Sequence, residues 1–163
     1  MHPITLLLAA ALGTISPNAL AQGKACDLTT PEELQAALGA KPKLSPSTMP
    51  NGVDVCTGKA GGSTITIRYY QKKDDGERER EEEKLDKLRT AGVIIENRRV
   101  GGFNCTELRP SGKATRQAYT TTCATAATSR LPKYAVVEVS NPSQSLEMRQ
   151  LVPLVQGIAG RIY

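Results

Sequence analysis

The apolar residues of this chain change their spacing along its length, and each change predicts a change of structure. Leu6 to Leu12 form an uncharged run of leucine and alanine near the start. Ser16, Pro17 and Asn18 follow, and Ala19-Leu20-Ala21 then offers the small side chains that a signal peptidase accepts. Residues 1–21 are therefore expected to be a signal peptide, with Gln22 opening a single mature domain over 22–163. The leader departs from the usual pattern in having no Lys or Arg ahead of its apolar run. That run is far shorter than the roughly 20 residues needed to cross a bilayer, and no later stretch is long enough, so no transmembrane segment is expected.

Beyond the leader the pattern alternates between helical and strand periods. Thr30 as N-cap, Pro31 at the first helical position, Glu33 three residues on and Gly39 as a stop predict a short helix facing inward through Leu34, Ala37 and Leu38. Residues 41–52 contain Pro42, Pro46 and Pro50 among small polar side chains and are expected to be a surface loop. Residues 53–56 and 64–70, joined by a glycine-rich turn, predict a hairpin, with Ile65, Ile67 and Tyr69 on one face. Residues 76–90 predict a solvated helix, with acids early, bases late, and only Leu85, Leu88 and Ala91 free to dock. Strands over 93–100, 103–108, 118–126 and 134–140 follow, and their short connections require antiparallel neighbours. Last comes an amphipathic helix over 145–162, with Leu151, Leu154, Val155, Ile158, Ala159 and Ile162 on one stripe. Pro153 should kink it or mark the start of its regular part. This order predicts an α+β, two-layer domain: an antiparallel sheet of about five to six strands, packed by the N- and C-terminal helices, with an exposed charged helix between.

Cys26, Cys56, Cys105 and Cys123 make an even count with no Cys-x-x-Cys pair, so two disulfides are expected in an exported chain. Three connectivities are possible. Cys26 with Cys56 and Cys105 with Cys123 is favoured, because each pair then flanks one local supersecondary unit. The segment Cys26-Asp27-Leu28-Thr29-Thr30-Pro31-Glu32-Glu33-Leu34, with Ala37-Leu38-Gly39, a cysteine before the first strand and a final amphipathic helix, resembles an uncharacterised family of small exported bacterial domains, many of them lipoproteins. The resemblance covers mainly the first third of the chain. It implies the same fold class and a disulfide from the first helical region to the first strand, and it supplies no catalytic residue. Gly23-Lys24-Ala25 ahead of Cys26 is not a lipidation signal, so membrane attachment is not implied.

Composition then restricts the chemistry. The one histidine, His2, lies in the leader, which removes Ser-His-Asp and Cys-His catalysis and histidine-bound zinc or copper from the mature domain. Bridged cysteines would remove thiolate nucleophiles as well. Gly58 to Ser63 and Ser111-Gly112-Lys113 do not fit a phosphate loop, and Asp74-Asp75-Gly76 lacks the alternating ligands of a calcium loop. Asn104-Cys105-Thr106 is a glycosylation sequon on a strand beside a bridged cysteine, which disfavours its use. No catalytic residue, metal ligand or cofactor is assigned. With no tryptophan and one phenylalanine, the core must be aliphatic.

The net charge of +5 is unevenly spread. Acids crowd residues 74–86, whereas the chain from Arg98 onward is basic. For an exported protein that favours a protein or anionic envelope polymer as partner, and not nucleic acid. The function expected is a non-enzymatic binding module of inhibitor or immunity type, with Arg98, Arg99, Arg109, Lys113 and Arg116 as candidate contacts. The alternatives are a small carboxylate-dependent hydrolase of envelope polysaccharide, which needs two facing acids in a cleft, and a structural envelope component.

Overall fold

The computed structural model describes residues 24–71, 76–112, 117–125 and 133–163, and the side chains of Glu77 and Arg78 are not among them. The leader with its cleavage site, Asp74-Asp75, Lys113 and Arg116 thus lie outside the described residues. After a short 3-10 turn at Cys26–Leu28, the chain forms α1 (Pro31–Leu38), β1 (Lys43–Thr48), β2 (Asp54–Ala60), β3 (Ser63–Tyr70), α2 (Glu77–Thr90), β4 (Val93–Val100), β5 (Phe103–Pro110), β6 (Tyr119–Ala124), β7 (Tyr134–Asn141) and α3 (Met148–Ile162). The strands make one antiparallel sheet in the order β1-β2-β3-β7-β6-β5-β4.

The fold is α+β, as the sequence predicts, with seven strands where five to six were expected. The additional strand is β1, in the segment read as a loop. Pro46 argued against a strand, yet β1 is at the sheet edge, where a missing N–H need remove no ladder bond. Its pairing with β2 is a long-range interaction that local composition does not report. Both disulfides have the favoured connectivity, Cys26–Cys56 and Cys105–Cys123.

Residues opposite one another in antiparallel strands project from the same face, so the registers define two faces. On the inner face one row runs Pro46, Cys56, Ile67, Val137, Cys123, Cys105, Arg98, and the next runs Leu44, Gly58, Ile65, Val139, Thr121, Glu107, Glu96. Each row is apolar through β3 and β7 and ends in charge, at β4 in the first row and at β5 and β4 in the second. Leu34 and Ala37 of α1, and Met148, Leu151, Leu154, Val155 and Ile158 of α3, are buried against the apolar part. Each fully buried aliphatic side chain contributes about 1.5–3 kcal/mol relative to exposure. On the outer face the corresponding row is Ser45, Thr57, Thr66, Glu138, Thr122, Thr106, Asn97. There α2 covers only the side nearest β4, through half-buried Leu85 and Leu88.

The helix ends follow local rules. Thr30 Oγ1 accepts from the Glu33 N–H while Glu33 Oε2 accepts from the Thr30 N–H, a full capping box. Helix α3 begins at Met148, later than the expected 145, because Glu147 and Gln150 form a second capping box. Pro153 neither starts nor ends it. That residue is exposed, so the Arg149 carbonyl it leaves without an intrahelical donor is on the solvent side. At the other end Arg161 donates to Glu33 Oε1 (2.8 Å) and to the Leu28 carbonyl (3.1 Å), fastening α3 to α1. Burial pushes the Glu33 carboxyl up, but the Arg161 guanidinium and the Thr30 N–H outweigh it and hold it below the usual carboxylate range.

Candidate functional site

The sequence-derived arginines Arg98, Arg99 and Arg109 gather at the β4–β5 end of the sheet. Arg98 extends the row of the Cys105–Cys123 bridge, and its strand neighbour Arg99 projects to the other face. Gly101 and Gly102, at φ 59° and 88°, turn the chain from β4 into β5, a left-handed two-residue turn that suits glycine. A Cβ at Gly101 would be 2.5 Å from Val152 Cγ1, so this tip is seated directly on α3.

The start of α3 is tied to the sheet by two hydroxyls. Thr121 Oγ1, fully buried, donates to the Leu146 carbonyl at 2.6 Å, and Ser145 Oγ donates to Glu107 Oε1. Between the hairpin tip and this first turn lies a cavity of about 600 Å³, lined chiefly by Arg98, Arg99, Gly101, Glu107, Glu147 and Arg149. Three guanidinium-bearing residues and two acids therefore share one depression. Arg149 was not a sequence candidate. The available signal was its place in the first turn of α3, where the helix dipole disfavours a cation by about 0.3–1 kcal/mol.

Arg109 is bonded within the sheet. Glu96 and Glu107 are directly opposite each other on β4 and β5, an unfavourable pairing of like charges. Arg109 Nη2 donates to Glu96 Oε2 at 2.5 Å, and its buried Nε, without a hydrogen bond of its own, is 3.5 Å from Glu107 Oε1. Arg98 Nη2 donates to the other Glu96 oxygen. The four side chains form a chain of alternating charge, and Arg109 is its internal clamp. Arg98 keeps most of its surface in solvent, at 65% exposure. Arg99 Nε is turned to the Gly102 carbonyl at 3.3 Å. Arg98, Arg99 and Arg149 thus line one cavity, and Arg109 is bonded to Glu96 and close to Glu107 beside it.

The facing acids that a carboxylate hydrolase requires are present in outline, since Glu107 and Glu147 both line the cavity. Each is already engaged: Glu107 Oε1 by Ser145 and Arg109, and Glu147 by the N–H of Gln150 in its capping box. A smaller cavity of about 310 Å³ lies under α2, walled by Leu85, Leu88 and Leu108 and floored by Thr106, Thr120 and Thr122. Among the described residues no helix is long and apolar enough to cross a membrane. No family model, curated protein or solved structure matches this chain.

Proposed function

We propose that this protein is an exported, non-enzymatic binding module that engages an anionic partner, a protein or an envelope polymer, through the basic depression between the β4–β5 hairpin and α3. The observation that carries this reading is the convergence of Arg98, Arg99 and Arg149 on one cavity. The Cys105–Cys123 bridge between adjacent strands lies in the row next to it and stiffens its floor. Preorganised cations of this kind steer association and favour planar, bidentate contact with carboxylate or phosphate groups. Inhibitor or immunity-type action, in which the hairpin tip occludes a partner's site, fits such a rigid projection. Export is supported by the two disulfides, which leave no free cysteine.

The test is capture from the oxidising compartment with the native protein and with Arg99→Glu/Arg149→Glu. The native protein is expected to recover a partner whose association slows as salt rises, and the double variant is expected to lose it. Equal recovery by both, or salt-independent binding, overturns the assignment. Intact-mass analysis of the natural product is expected to find residues 22–163 with both disulfides closed; a full-length chain with four free thiols refutes export. One observation favours the hydrolase as a second reading: Glu107 and Glu147 line the same cavity. It predicts turnover of envelope polysaccharide that Glu107→Gln abolishes.

A further inference from the structure

The sheet has two edges of very different character. β1 contains Pro46 and three hydroxyl side chains in six residues, a blunted edge. β4 is eight residues long without proline or glycine, and is paired with β5 along its whole length. Among the described residues no strand pairs with its other side. Ile94, on this edge, is 53% exposed, one of three large apolar side chains left open among the described residues.

The phase of the ladder identifies which groups the edge offers. The Cα atoms of Cys105 and Cys123 are 4.2 Å apart, the spacing of a non-hydrogen-bonded pair, so the Cys105 backbone turns toward β4 and bonds Arg98. By alternation Glu96 and Ile94 also bond to β5, while Ile95, Asn97 and Arg99 direct N–H and C=O outward. Suppose a second copy approaches antiparallel about a two-fold axis. Facing residues must share a sheet face, which limits the registers to steps of one residue on the axis. With Asn97 on the axis, Glu96 faces Arg98 of the second copy and Ile94 faces its Val100, each contact occurring twice. These are the closely spaced, non-hydrogen-bonded positions, and the outward backbone groups supply about six hydrogen bonds between the chains. Moving the axis to Glu96 or to Arg98 sets that axial charge against its own copy and leaves the other facing an apolar side chain.

We infer that β4 is a self-pairing edge, and that the protein forms a two-fold dimer with one continuous sheet through both copies and Asn97 at its axis. The pairing shares Arg98 with the basic depression but does not use Arg149, so the two readings can be tested apart. It also draws the two basic depressions onto one assembly, a bivalent arrangement.

Sedimentation equilibrium of the disulfide-intact chain over a concentration series is expected to show a reversible dimer. Glu96→Arg and Arg98→Glu should each raise the dissociation constant at least about tenfold. Glu96→Arg/Arg98→Glu together should restore it to within about threefold, because the swapped charges meet again across the axis. That rescue separates pairing from folding damage, since Glu96 also contacts Arg109 within the chain. Asn97→Pro, which removes the axial N–H, should give a monomer, and Arg149→Glu should leave the dimer intact while removing the anionic partner. A native chain that stays monomeric throughout, or a dimer indifferent to both single reversals, overturns the inference and makes the β4 charges guards against edge pairing.

Discussion

Helices α2 and α3 are nearly the same length, 14 and 15 residues, and lie on opposite faces of one sheet, yet they do opposite work. α3 buries five side chains and holds the core, whereas every described side chain of α2 is exposed or half-buried. Fourteen positions of α2 include only two leucines able to dock. The difference teaches that one face of the sheet carries nearly all of the packing and the other very little. The inner face is filled and fastened, and its edge beside α3 supplies the charges. The outer face remains a row of hydroxyls with a solvated helix across one side.

The comparison is broken most directly at the core. Leu154→Ala is expected to cost about 2–5 kcal/mol in urea unfolding, because it leaves a cavity under α3. Leu88→Ala should cost about 1 kcal/mol or less, and equal losses would show that α2 is as much a core element as α3. Replacing Cys105 and Cys123 together by alanine should cost about 3 kcal/mol, read from the same unfolding curves, since a closed loop is released in the unfolded chain.

Thr121→Val sharpens the comparison at the site. It keeps the shape but leaves the Leu146 carbonyl without its donor, at a cost of about 1–3 kcal/mol. Exchange of the amide hydrogens in the first turn of α3 should quicken, with α2 unaffected. The smallest effect is electrostatic. Glu33 has its carboxyl held low in the folded protein, so its contribution is present above the unfolded-state value, near pH 4.3, and is lost as pH falls through the folded one. Thermal melts of Glu33→Gln should therefore differ from the native protein near neutrality and converge with it in acid. The difference should be under about 1 kcal/mol, as the pair is partly exposed. A gap that widened in acid would contradict the sign.

The elements legible in the sequence were those whose causes are local. The Thr30–Glu33 capping box, the apolar stripe of α3, the alternation of Ile65 and Ile67 and the charged course of α2 each declare themselves within a few residues. β1 was not legible, because Pro46 opposed it and only β2 explains it. At the site, Arg98 and Arg99 were marked by charge alone. Arg109 was marked in the same way, and its bonding to Glu96 and approach to Glu107 were not legible, since those acids come from another position on its own strand and from the strand beside it.

The amino-acid order by itself determined the class of the domain, its helices, most of its strands and the favoured cysteine pairing, because caps, periods and turns act over distances shorter than one element. Only the tertiary structure decided which face each charge occupies, that Arg149 joins Arg98 and Arg99, and that β4 is left as an edge. Those outcomes depend on strand register, and register is set by contacts between residues far apart in the chain.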